Sequence, residues 1–116
     1  MPVIKTHATT PIPETAQHAL KAAFGQAIEN IPGKSEQWLM CLFDENAPIY
    51  FGGDDSEASA LIEVGVFARG EVPASAWEAL TAAVTPAVAE TLGIDPARIY
   101  VSCSSTPNFG WNGTTF

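Results

Sequence analysis

The residue with the clearest capacity for chemistry stands second in the chain. Methionine before a small residue such as proline is normally trimmed, so the mature chain is expected to begin with the secondary amine of Pro2. An α-amino group titrates near pH ~8, and burial beside apolar side chains disfavours its charged form. A downward shift of about two units corresponds to roughly 2.7 kcal/mol and leaves much of the amine neutral at pH 7. Such a nitrogen is a rigid general base with its pKa near the working pH. Many chains carry proline after methionine without using it, so Pro2 alone leaves both readings open.

The remaining reactive side chains have blander readings. Cys41 and Cys103 lie within apolar runs rather than in a paired spacing, which suits buried reduced thiols better than a disulfide or metal ligands. His7 and His18 are the two histidines and sit apart in sequence, so a zinc site has little support.

The elements that must position Pro2 follow from periodicity. Residues 2–7 alternate as a first strand, and proline is tolerated where a strand begins. Ala16, Ala19, Leu20, Ala23, Phe24, Ala27 and Ile28 have the spacing of an amphipathic helix over about 14–30, closed by Pro32-Gly33. Residues 37–43 predict a strand, followed by a polar turn, a short run at 48–51 and the break Gly52-Gly53. A strand over 59–67 puts Ala60, Ile62, Val64 and Val66 on one face and Leu61, Glu63, Gly65 and Phe67 on the other. Ser75 and Glu78 have capping-box spacing ahead of a second amphipathic helix, with a kink expected near 82–86 because of Pro86. Residues 98–103 predict the next strand, and Asn112-Gly113 is a strong tight-turn signal.

The two halves therefore share an order of strand, helix and strand, a weak internal repeat. Two β-α-β units with right-handed crossovers place both helices on one face of a single mixed sheet. The opposite face is left bare, with Leu61 and Phe67 beside Glu63, and association is the natural way to cover it. Composition agrees: among 116 residues 47% are hydrophobic and only 16% charged, so one domain over residues 1–116 with an extra buried interface is expected. A formal charge of -8 with no basic stripe argues against a nucleic-acid partner. No apolar run is long enough for a signal sequence or a membrane span, so a cytoplasmic protein is expected.

The opening Met1-Pro2-Val3-Ile4 and the closing Asn108-Phe109-Gly110-Trp111-Asn112-Gly113-Thr114-Thr115-Phe116 occur together in a chain of this length, with Gly33-Lys34, Phe51-Gly52-Gly53, Ser56-Glu57 and Asp95-Pro96-Ala97-Arg98-Ile99-Tyr100 between them. On these residues the sequence resembles the macrophage migration inhibitory factor family of the tautomerase superfamily. The resemblance implies an α+β fold with a ferredoxin-like β-α-β-β-α-β pseudo-repeat, a mixed four-stranded sheet carrying two helices on one face. It also implies a homotrimer with its sheets around a central channel and an active site at each subunit boundary. The implied activity is keto-enol tautomerisation of phenylpyruvate and related small aromatic 2-oxo acids, with isomerisation of dopachrome-like compounds in some members, and without a cofactor.

By the same resemblance Pro2 is the catalytic base and acid. Lys34 matches the lysine that binds the substrate carboxylate, and so acidic a chain needs a local positive charge to hold a 2-oxo acid. Phe67 falls where the family has an apolar pocket residue whose backbone amide also touches substrate. Tyr100 matches a tyrosine contributed by the neighbouring subunit, and Ser102 stands where the animal cytokines carry a substrate-binding asparagine. Trp111 and Phe116 close the chain either at the pocket mouth or, more commonly for such aromatics, as an interface seal. The stretch Ala58-Ser59-Ala60-Leu61 lacks the paired cysteines of the mammalian cytokine, so thiol-redox activity is not expected. The alternatives are a cytokine-like binding or signalling trimer with an incidental pocket, and a related decarboxylase or a tautomerase for another 2-oxo acid.

Overall fold

The computed structural model describes residues 1–115; Phe116 lies outside the described residues, and with it the expectation that it seals an interface or stands at the pocket mouth. Strand β1 (Pro2–Ala8) leads to helix α1 (Glu14–Ala27), strand β2 (Met40–Asp44), strand β3 (Ala60–Phe67), helix α2 (Ala74–Leu92) and strand β4 (Ile99–Thr106), and a hairpin of β5 (Gly110–Trp111) and β6 (Thr114–Thr115) follows. The main sheet has the order β2-β1-β3-β4. β1 runs parallel to β2 and β3 parallel to β4, while β1 and β3 are antiparallel. This is the four-stranded mixed sheet with two crossover helices that the repeat predicts, each helix supplying the long connection that parallel strands require.

The core lies between the helices and one sheet face. Ile4, Ile62, Val64 and Val66 meet Leu20, Phe24, Leu80, Val84 and Val88, all essentially without solvent contact. Alternation then sends Val3, Lys5 and His7 of β1, Leu61, Glu63 and Gly65 of β3, and Tyr100, Ser102 and Ser104 of β4 to the other face. That face carries exposed Met40, Leu42 and Tyr100, large apolar groups that an isolated chain leaves in water.

Several local expectations are corrected. α1 stops at Ala27 and its last turn tightens into a 3-10 turn over Ile28–Asn30. The strand expected at 37–43 begins only at Met40, because Trp38 and Leu39 donate their N–H groups back to Ser35 and Glu36 in a 3-10 turn. The run at 48–51 forms a single bridge between Phe51 and Asp54 around Gly52-Gly53, both of which have positive φ. Ser75 lies inside the first turn of α2, with Pro73 at the N-cap and no side-chain cap bond, so the capping box does not form. α2 is not interrupted at Pro86. The carbonyl that proline frees belongs to Ala82, and both residues are exposed, while buried Val84 and Val88 hold the helix to the core across that turn. The last long strand starts at Ile99, after a 3-10 turn whose Asp95 side chain accepts from the Ala97 amide at 2.9 Å.

Candidate active site

Pro2 opens β1 opposite Val66 and is buried. The next residue of β3, Phe67, donates its backbone N–H to the carbonyl oxygen of Met1 at 3.1 Å. That oxygen sits roughly 2.2 Å from the Pro2 nitrogen, because both are bonded to the same amide carbon. The Phe67 amide is therefore aimed at a point beside the proline nitrogen, where the Met1 carbonyl oxygen accepts its hydrogen bond.

Lys34 approaches Met1 and the Phe67 ring from the loop after α1. The Lys34 amide donates to the Ile31 carbonyl at 3.1 Å, closing a turn with Pro32 and Gly33 at its centre. Gly33 has φ 77°, the left-handed value that the third residue of a type II turn requires. The half-buried Lys34 places its Nζ 5.4 Å from the centre of the Phe67 ring. The terminal amine of Met1 is held below its ordinary pKa, first by burial, then by repulsion from the Lys34 ammonium, then by a hydrogen bond from that side chain. A cation here penalises a protonated amine and would attract an anion.

The other side of Pro2 is aromatic. Met1, Pro2, Trp38, Met40, Phe109 and Trp111 line a hollow of about 390 Å³, within the size range of small-molecule sites. Trp38 and Trp111 meet edge to face with ring centres 5.6 Å apart. Trp111 is delivered by the β5-β6 hairpin, whose turn residues Asn112 and Gly113 have φ 51° and 78°, as the tight-turn signal predicts. Trp111 thus borders the hollow and is half exposed.

Of the residues expected at the site, the chain brings Pro2, Lys34 and Phe67 together. Tyr100 and Ser102 lie elsewhere in the same chain. Tyr100 pairs with Leu61, five residues along β3 from the partner of Pro2, which is roughly 17 Å of strand. It packs on Phe51 with ring centres 5.2 Å apart. Buried Arg98 lies over the other ring, with its guanidinium carbon 5.2 Å from the Phe51 centre, and donates to the carbonyls of Asp54, Glu57 and Ala58. This pins the Gly52-Gly53 loop and so supports Tyr100 from behind. Ser102 is exposed opposite Glu63, in a groove of the open face shared with Lys5, Ser104 and Phe109.

Trp38, Phe109 and Arg69 were not among the expected site residues. Trp38 reads in sequence as the start of a strand, and Phe109 as part of a closing segment, with no spacing that aims either at Pro2. Arg69 has one signal: it is among only five cationic residues, and it follows Phe67 by two. On the open face, both nitrogens of His7 meet carboxylates, Nδ1 with Asp44 at 2.9 Å and Nε2 with Glu63 at 2.7 Å. Those two bonds raise its pKa. Among the described residues no group of three or more His, Cys, Asp or Glu is placed to hold a metal ion. Burial pushes the thiols of Cys41 and Cys103 up, and neither is bonded in a disulfide. No helix among the described residues is long and apolar enough to cross a membrane.

The whole chain matches solved structures. MIF2 of Leishmania major is 32% identical, with a TM-score of 0.90 over 100% of this chain and 97% of that one. A macrophage migration inhibitory factor homologue from Prochlorococcus marinus is 27% identical, with a TM-score of 0.83 over 98% of both chains. A fused 4-OT protein described as a symmetric trimer matches in fold at 24% identity, with a TM-score of 0.82 over 97% of this chain and 94% of that one. No protein-family model and no curated protein matches the sequence.

Proposed function

The chain belongs to the macrophage migration inhibitory factor family, and from that premise we propose that it is a keto-enol tautomerase for phenylpyruvate and related 2-oxo acids, working as a homotrimer with the amine of Pro2 as base and acid. The observation that carries this reading is the convergence of the Phe67 amide and the Lys34 ammonium on the position of Met1, directly beside the Pro2 nitrogen.

With Met1 removed, the neutral Pro2 nitrogen takes a proton from the carbon next to the substrate ketone. The electron pair of that C–H bond moves into the new C–C double bond, and the ketone oxygen becomes the enolate oxygen. The Phe67 amide, freed of its bond to Met1, donates to a substrate oxygen, and Lys34 clamps the carboxylate. Protonated Pro2 then returns the proton to the enolate oxygen, or to carbon in the reverse direction, so no net proton is lost. The hollow beneath Trp38 and Trp111 takes the aromatic ring of the substrate.

Tyr100 and Ser102 join this site from a neighbouring subunit. The exposed Met40, Leu42 and Tyr100 on the open sheet face favour association, since burying them removes apolar surface from water. The trimer described for the fused 4-OT protein is the arrangement we assign to this chain. The test is phenylpyruvate ketonisation by protein confirmed by mass to begin at Pro2, beside protein that keeps Met1. Turnover confined to the first supports the reading. A well-formed trimer inactive in both states points instead to a binding or signalling role.

A further inference from the structure

Thirteen acidic residues face only five lysines and arginines in this chain, yet two of those five cations converge on one ring. Lys34 Nζ lies 5.4 Å and Arg69 Cζ 5.7 Å from the centre of Phe67. Among the described residues neither has a carboxylate within ion-pairing distance. Lys5 and Lys21 also lack one, so what distinguishes Lys34 and Arg69 is their convergence. Both cations and the ring line a single hollow of about 280 Å³, in which Glu71 is the one acidic residue.

Arg69 is held there by the backbone. β3 ends at Phe67, and the Ala68 amide donates to the Thr106 carbonyl of β4 at 3.1 Å, which ties down the start of the loop that carries Arg69. The guanidinium is exposed and rests over the Phe67 ring, and its fork of donors suits a planar anion. A 2-oxo acid needs one cation for the carboxylate beside its ketone, and Lys34 supplies it. The second cation at the same hollow has no role with a substrate that carries a single carboxylate.

We propose that Arg69 is a second anion anchor of the Pro2 site, and that the site accepts 2-oxo acids bearing a further carboxylate at their far end. This rests on the tautomerase reading of the site. Lys34 takes the carboxylate next to the ketone, Arg69 takes the distal one in a forked pair of hydrogen bonds, and the chain between them crosses the Phe67 ring. Glu71 opposes the distal anion and limits the gain.

The experiment compares 2-oxoglutarate with 2-oxopentanoate, which has the same chain without the distal carboxylate. Exchange of the protons beside the ketone for deuterium is followed by NMR, using trimer with a free Pro2 amine. Because Arg69 is exposed and its field is screened, the wild type is expected to show a KM about five- to tenfold lower for 2-oxoglutarate. Arg69→Gln should abolish most of that ratio, Arg69→Lys should keep part of it, and Glu71→Gln should enlarge it. A wild-type ratio near one, or a ratio unchanged in Arg69→Gln, overturns the proposal. If no 2-oxo acid is turned over, the tautomerase reading has failed, and chemical-shift titration of the two acids still decides the role of Arg69. Tighter binding of 2-oxoglutarate that is lost in Arg69→Gln supports the anchor, and equal binding sinks it.

Discussion

The amide of Phe67 and the nitrogen of Pro2 are brought side by side by the pairing of β1 with β3, which sets Pro2 opposite Val66 and lets Phe67 donate to the Met1 carbonyl at 3.1 Å. The proposed hydrogen-bond donor and the proposed base are thus fixed by one antiparallel ladder, whose register cannot slip by one residue without turning the buried face of β3 outward. Lys34 completes the arrangement from a turn that depends on Gly33.

Lys34→Met should raise KM for a 2-oxo acid by about ten- to a hundredfold, the cost of losing one charge-assisted hydrogen bond of about 1.5–3 kcal/mol. The Lys34 ammonium repels the protonated amine of Met1, and the same field should act on the Pro2 amine once Met1 is removed, so Lys34→Met should raise the pKa of that amine. The rise of kcat/KM with pH should move to higher pH in the variant. A pH profile unchanged by the substitution would separate Lys34 from the amine.

If Tyr100 acts across a subunit boundary, two inactive proteins should repair each other. Protein with a blocked Pro2 and protein carrying Tyr100→Ala, unfolded and refolded together, should regain up to about a quarter of wild-type activity. That is the share of boundaries expected to unite an intact Pro2 with an intact neighbouring tyrosine. No recovery from mixed trimers would mean that Tyr100 does not serve a neighbour's site.

The His7 cluster predicts a pH dependence of stability. Its folded-state pKa is raised, first by the bond to Asp44 and then by that to Glu63. The stabilisation is therefore full below the unfolded value of about 6.5 and is lost as pH rises through the higher folded value. Lys5 faces the same surface from β1 and Glu63 pairs with it in register. Screening at the half-exposed carboxylates keeps the effect below about 1 kcal/mol. Urea midpoints on either side of that range should fall with rising pH in the wild type, and the fall should shrink in His7→Asn.

Much of this arrangement is written into the sequence where one residue type meets a local demand. Gly33 and Asn112-Gly113 mark turns because their positive φ values admit few other residues. The alternation of Ala60, Ile62, Val64 and Val66 fixes which face of β3 is buried, and so fixes Phe67 beside Pro2. What periodicity does not carry is the path of loops. Trp38 turns back in a 3-10 turn before β2 begins, and that places it against Trp111. Arg69 approaches Phe67 from a loop whose start is pinned to Thr106. Pro86 would break an isolated helix, but here Val84 and Val88 bury against the core and Ala82 faces water. Tyr100, Lys34 and Pro2 are joined in sequence only by family resemblance, and the single chain holds Tyr100 at the far end of the sheet.

The proposed mechanism needs Pro2 to work as a neutral base at physiological pH. The most direct measurement is a pH titration of the nitrogen-15 signal of Pro2 in protein that begins at that residue, set beside kcat/KM for phenylpyruvate over the same range. The midpoint should lie well below the ordinary α-amino value of about 8, with activity rising along the same curve. A midpoint at or above that value, or activity that ignores the titration, would contradict it.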